Sequence, residues 1–222
     1  KKNKIKSDSV VIIQVRKENI HHLRNSNIIK YYNVINYLIT KKISVVLYYN
    51  GPIDFSKIRD LSFFHHFSNF NDQRLLDQIY LIQFSKLFIC SLGGPMHIAN
   101  NLLKKKVLIT DSVMFNNLIL FQNFVNLPRL FLDKKNNRII NMNEIFKRNI
   151  NCIWNEKLLT KEFVSTIENS SDEIIEGINF SFNDNKNFLD FKTQKFYEEN
   201  QFSNFLGINR IPDINNYKKY LL

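Results

Sequence analysis

The run Val10-Val11-Ile12-Ile13-Gln14-Val15 carries β-branched residues at consecutive positions instead of alternating ones. Successive side chains of a strand point to opposite faces. Such a run therefore needs cover on both sides, as in a parallel sheet lying between two layers of helices. Residues 44–49, 87–90 and 107–110 repeat the pattern, and residues 63–67, with His65 and His66 as structural side chains, make a shorter strand. Helical spacing lies between them. Ile28, Tyr31 or Tyr32, Ile35 and Leu38 or Ile39 share one face of a helix capped by Asn25, Ser26 or Asn27. Asn71 or Asp72 caps a second helix with a wide apolar stripe of Leu75, Ile79, Ile82 and Leu76, Tyr80, Phe84; Asp77 is a solvated carboxylate off its centre. Strands alternating with helices predict the α/β class: a doubly wound, Rossmann-like parallel sheet.

The strand at residues 87–90 leads into Ser91-Leu92-Gly93-Gly94-Pro95, after which Met96, Ala99, Asn100 and Leu103 recur at helical spacing. Strand, glycine turn, helix is the reading. The first N–H groups of a helix have no internal partner and sit at the positive end of its dipole, so an anion is their natural occupant. Gly93 and Gly94 are expected to permit positive φ and close approach of a ligand, and Pro95 suits the first helical turn. His97 in that turn is placed to donate to a phosphate. A lone glycine turn is also found in ordinary strand-to-helix connections. Arg16, after the first strand, has two readings: a cation at the ligand-binding edge of the sheet, or a loop arginine paired to Glu18.

A formal charge of +11 and a pI of 9.6 permit phosphate-bearing ligands, nucleic acid or an anionic membrane surface. The basic residues are dispersed, as in Lys1-Lys2-Asn3-Lys4 and Lys104-Lys105-Lys106, and no aromatic-and-basic signature accompanies them, so no nucleic-acid partner is predicted. Cys90 and Cys152 give neither a disulfide framework nor a metal spacing, which fits a reducing compartment. The adjacent His21 and His22 project differently and read as loop residues. No run nears the ~20 apolar residues of a membrane span. The expectation is a cytoplasmic protein, at most peripheral to the inner membrane.

After Asp111 and Ser112, which end the fifth strand, the pattern loosens. Residues 127–132 read as an edge strand that tolerates Pro128, residues 134–138 as a turn and residues 143–148 as a short helix. Ser170 and Glu173 form a capping box that opens a helix through Ile174, Ile175 and Ile178. Residues 1–150 are read as the Rossmann-like domain and residues 151–222 as C-terminal helical segments packed on it. The chain begins with Lys1 and is read as part of a longer protein.

Ser-Leu-Gly-Gly-Pro-Met-His-Ile-Ala, residues 91–99, resembles the Asp-Ser/Thr-Gly-Pro-Met-His-Ile-Ala element of the heptosyltransferase-type GT-B glycosyltransferases. A family of bacterial glycosyltransferases is similar over most of the chain from about Val10. Its features match in order at Gln14-Val15-Arg16, Arg24-Asn25, Asp77 to Leu81, Ser91 to Pro95, Leu127-Pro128-Arg129, Glu168 to Ile174 and Arg210-Ile211-Pro212. The resemblance implies the C-terminal half of a GT-B fold, with the N-terminal domain, which contributes the acceptor surface and base, outside this sequence. It implies a nucleotide-sugar donor, a glycan or lipid-linked acceptor, inversion and no metal. Ser91, Gly93, Gly94, Pro95, Met96, His97, Arg24, Asn25, Asp111 and Ser112 are the implied donor-site residues, with Arg16 and His97 as the catalytic pair. Gln14 stands where the family has histidine, and Ser91-Leu92 where the element has Asp-Ser/Thr. Both departures also fit a non-catalytic module that acts as a partner or regulator.

Overall fold

The computed structural model describes residues 10–17, 22–68, 72–113, 124–150 and 155–182. Glu18, His21, Asn71, Cys152, the lysines before Val10 and the 210–212 segment lie outside these.

Strand β1 (Val10–Gln14) leads through a short 3-10 turn at His22–Arg24 to helix α1 (Ile28–Thr40) and strand β2 (Ser44–Tyr48). Then come β3 (Phe64–Phe67), α2 (Asp72–Phe84), β4 (Leu87–Cys90) and α3 (Gly94–His97), which a π-helical turn extends over Ile98–Leu102. Strands β5 (Val107–Ser112) and β6 (Phe124–Pro128) complete a six-stranded parallel sheet in the order β3-β2-β1-β4-β5-β6. This is the strand order of dinucleotide-binding folds, in which the direction of winding reverses between the first and fourth strands.

The continuous apolar runs are explained by the two cores. Val11, Ile13, Val45, Leu47, Leu87, Ile89 and Leu108 face one side and pack with Tyr31, Ile35 and Leu38 of α1. Val10, Ile12, Val46, Tyr48, Phe88, Cys90, Val107 and Ile109 face the other, against Ile82, Met96 and Ala99. Both faces are buried, as the sequence pattern requires. Asn27, the last of the three candidate caps, accepts from the Ile29 N–H at 3.0 Å.

The stripe of α2 is narrower than its sequence suggests. Ile82 is buried with Gln78, while Leu76, Tyr80 and Phe84 are exposed, the last two with ring centroids 4.7 Å apart. A helix on an open sheet buries only the face it turns inward, so the second row of the stripe points to solvent.

The edge strand expected at residues 127–132 is two strands. Residues 124–128 pair with β5, and after Arg129 the chain enters β7 (Leu130–Asp133) of a separate antiparallel sheet, β8-β7-β9. Strand β8 is Arg138–Ile140, followed by helices α4 (Met142–Lys147) and α5 (Glu156–Lys161), strand β9 (Val164–Ile167) and helix α6 (Ser171–Phe182). Asp133 holds the β7–β8 turn by accepting from the Lys135 and Asn136 N–H groups at 2.9 and 3.2 Å. Strand β9 escaped the sequence reading because Val-Ser-Thr-Ile is short and borders no strong turn signal. The capping box is made: Ser170 N–H donates to Glu173 at 2.7 Å and Glu173 N–H to Ser170 Oγ at 3.2 Å.

Helix α6 joins the α1 layer, with Ile174 and Ile178 buried. A Cβ at Gly177 would lie 3.0 Å from Leu108 Cδ1 and 3.1 Å from Leu127 Cδ1, both in fully buried side chains. Gly177→Val is expected to cost about 1–3 kcal/mol through overpacking. Gly177→Ala should be closer to neutral, because a helix-propensity gain of about 1 kcal/mol offsets a smaller clash. Urea denaturation of the two variants distinguishes them.

Candidate functional site

In an open parallel sheet the connections leave the carboxyl ends of neighbouring strands in opposite directions at the switch point and open a crevice there. Here β1 and β4 are those neighbours, with Gln14 opposite Cys90 at their ends. A cleft of about 290 Å³ opens at this place, lined by Gln14 at the end of β1, Val15, Arg16 and Lys17 after it, Asn50 after β2, and residues 91–95 after β4. Arg16 and Lys17 supply two positive charges, and no Asp or Glu is among these lining residues.

The cleft is built by short backbone connections. Val15 N–H donates to the Tyr48 carbonyl at 3.0 Å, which holds the end of β1 on β2. Arg16 Nη1 donates to the Leu92 carbonyl at 3.1 Å and so joins the end of β1 to the glycine turn. A guanidinium presents its donors in a planar fork suited to phosphate oxygens.

The glycines do not act through positive φ. Gly93 is extended, at φ 173°, and no described glycine lies in the left-handed region. The sequence-based expectation is corrected on this point: what matters at Gly93 is space, since a Cβ there would lie 3.2 Å from Arg16 Nη1. A Cβ at Gly94 would meet nothing within 4 Å and would point into open space. Gly94 is the first residue of α3, so no earlier turn offers a carbonyl to its N–H. Pro95 occupies the first turn as expected.

The remaining candidates separate. Met96 is buried in the core below the sheet, and His97 is exposed and outside the cleft lining. Lys17 and Asn50, which the sequence reading did not single out, line the cleft. Their signal was positional: each follows a strand that the parallel order brings to the same edge.

Asp111 and Ser112 are buried, and Asp111 belongs to a second cluster. Asp111 has φ 55°, a left-handed conformation that aspartate tolerates better than most residues. Its carboxylate accepts from Ser26 Oγ, from Lys30 Nζ at 2.5 Å and from the Asn169 N–H at 2.8 Å. Its own N–H donates to Asn169 Oδ1 at 2.6 Å, and Asn169 Nδ2 reaches the Pro128 carbonyl at 3.0 Å. Lys30 also pairs with Glu168 at 3.0 Å, and Glu168 lies 3.6 Å from Arg129 Nη2. Arg129 in turn donates to the Asn25 carbonyl. Two acids and two bases thus balance inside the fold, and Arg24 and Asn25 lie in the loop they hold. The Ser26 N–H donates to the Arg16 carbonyl at 3.1 Å, which ties this cluster to the cleft.

Burial, and then the charge of Asp111, push the Tyr31 phenol far up, so it stays neutral and shares a hydrogen bond of 2.8 Å with Thr110. Burial alone raises the Cys90 thiol, which excludes it as a nucleophile at neutral pH. For Glu168, burial acts to raise the pKa, but the Asn27 N–H, then Lys30 and Arg129, outweigh it and hold the carboxyl below the ordinary glutamate value. Among the described residues no three His, Cys, Asp or Glu side chains group as metal ligands, and no helix is long and apolar enough to cross a membrane. Comparison of the chain with protein-family models, curated proteins and solved structures found no match.

Two outcomes follow from the buried cluster. Asp111→Ala leaves the buried donors of Ser26 and Asn169 without their acceptor and Lys30 with Glu168 alone, and is expected to cost about 2–4 kcal/mol, whereas Asp111→Asn keeps the left-handed turn and costs less; urea titration measures both. Glu168 has a folded pKa below its unfolded one, so its stabilisation is complete above the unfolded value and is lost as pH falls through the folded one. Thermal melts of Glu168→Gln should therefore lose part of the native protein's drop in stability between about pH 5 and pH 3.

Proposed function

We propose that the switch-point cleft binds the diphosphate of a nucleotide sugar, and that the chain is the donor-binding portion of a GT-B-type glycosyltransferase. The acceptor on this reading is a cell-envelope or polysaccharide glycan, free or lipid-linked. The observation that carries it is the composition of the cleft. Arg16, Lys17 and the start of α3 converge at the sheet's switch point, with no acidic residue among the described lining side chains. A dianionic ligand is the chemical complement of that lining. The ordered resemblance of Gln14-Val15-Arg16, residues 91–99 and Glu168-Asn169 to glycosyltransferase elements selects a nucleotide sugar from among such ligands.

In the transfer the bond from the anomeric carbon to the β-phosphate oxygen breaks while an acceptor oxygen attacks the same carbon. Negative charge grows on the departing diphosphate. The Arg16 guanidinium and the Gly94 N–H are fixed beside that charge before it develops, so little reorganisation opposes its growth. The proton of the acceptor hydroxyl goes to a base other than the described lining residues, none of which is Asp, Glu or His.

That same lack favours a second reading, a binding module that recognises the nucleotide sugar without turning it over. Both readings require the cleft to bind, and they part at turnover by the full-length protein.

Gly94→Val should leave the melting temperature nearly unchanged, because a Cβ there meets nothing. It should nonetheless weaken binding of UDP-, GDP- or ADP-sugars by blocking the approach to the turn. Arg16→Ala removes charge-assisted hydrogen bonds and is expected to weaken binding roughly 10- to 100-fold. Calorimetric titration with the three nucleotide-sugar classes is the check, and equal affinity of wild type and both variants for each of them refutes the reading.

A further inference from the structure

A second cleft, of about 260 Å³, opens beside the small antiparallel sheet, between the β6–β7 junction, helix α5, strand β9 and the His22-Leu23 turn. The diphosphate reading makes no use of it. Its lining residues are disjoint from those of the first cleft, and its electrostatics are the opposite in kind. Among the described lining residues Arg129 and Lys134 are matched by Glu156 and Glu168, whereas those of the first cleft include two cations and no acid. An anion that suits the first cleft has no reason to prefer the second.

Two charged groups of this cleft, Arg129 and Glu168, are held in place by their neighbours. Arg129 is only 6% exposed, donates from Nη1 to Thr166 Oγ1 at 3.2 Å and lies 3.6 Å from Glu168. Glu168 is fixed from behind by the Asn27 N–H and Lys30, each at 3.0 Å. Ser165 and Thr166 come from a paired strand, and the Lys134 N–H is bonded to the Phe163 carbonyl at 2.8 Å. Between these donors and acceptors lie Leu23, Leu159 and Val164, all buried and apolar. Cationic donors and carboxylate acceptors in equal number suit a neutral ring that bears hydroxyls at its rim.

We infer that this second cleft binds a neutral saccharide unit, independently of whatever occupies the first. Glu156 accepts from ring hydroxyls, and Ser165 exchanges hydrogen bonds with them. The cleft's volume limits the bound part to about one sugar ring.

The test is saturation-transfer difference NMR on the 222-residue chain with methyl α-glucoside, α-galactoside and α-mannoside and N-acetylglucosamine as probes. At least one should give a signal that is weakened fivefold or more by Glu156→Gln and by Ser165→Val. Glu156 is exposed, and valine suits the strand position of Ser165, so both variants should fold; far-UV circular dichroism and thermal melts verify it. The same signal should persist in Gly94→Val and in the presence of saturating UDP, GDP or ADP, which separates this site from the nucleotide reading. The inference is overturned if none of the probes gives a signal, if the signal ignores both cleft variants, or if a nucleoside diphosphate displaces it. Binding of inorganic phosphate that depends on Lys134 would likewise overturn it, since it would make the cleft an anion site.

Discussion

The carboxylate of Asp111 is the junction on which the functional edge of the molecule depends. It sits at the end of β5 in a left-handed backbone conformation and takes hydrogen bonds from Ser26, Lys30 and Asn169. Three parts of the chain far apart in sequence therefore meet on one charge. An ionised carboxylate taken from water must recover its solvation from such partners. Lys30 carries the connection to Glu168, and Glu168 to Arg129, so the cluster closes with equal numbers of acids and bases. It also anchors the start of α6, whose buried isoleucines complete one of the two cores.

This junction governs the cleft from a distance. Ser26 gives its hydroxyl to Asp111 and its N–H to the Arg16 carbonyl. Arg16 then reaches across to the Leu92 carbonyl at the glycine turn. The cation at the switch point is thus held on one side by the buried cluster and on the other by the turn. Arg129, from the same cluster, forms part of the wall of the second cleft. One neutralised internal network stands behind two surface clefts of different electrostatic character.

Much of the parallel sheet was readable before any coordinates. Consecutive apolar residues at 10–13, 45–48 and 87–90 demand burial on both faces, and helical spacing between them demands crossovers, so the α/β class follows from periodicity alone. The Ser170–Glu173 box marked the start of α6 because its signature is local, three residues apart. What failed did so where local signals are ambiguous. Both rows of the α2 stripe are apolar, and only packing chooses which row is buried. Residues 127–132 read as one strand because nothing local tells where a strand leaves one sheet for another. Gly93 suggested positive φ, a common use of glycine; instead its missing Cβ leaves room for Arg16, distant in sequence, which a Cβ would crowd at 3.2 Å.

The candidate site divides along the same line. The strand-turn-helix unit was legible along the chain because it rests on adjacent residues, while Arg16 after the first strand kept two readings there, a cation at the sheet edge or a loop partner of Glu18. Only the tertiary structure decided that Arg16, Lys17 and Asn50 share a cleft with Gly93 and Gly94, that His97 and Met96 do not line it, and that Asp111 and Ser112 are internal. These outcomes depend on strand order and register, which bring together residues up to about eighty positions apart. The charge balance of the second cleft has the same origin. Arg129, Glu156 and Glu168 leave no pattern along the chain, and they acquire common surroundings only when β7, α5 and β9 close around them.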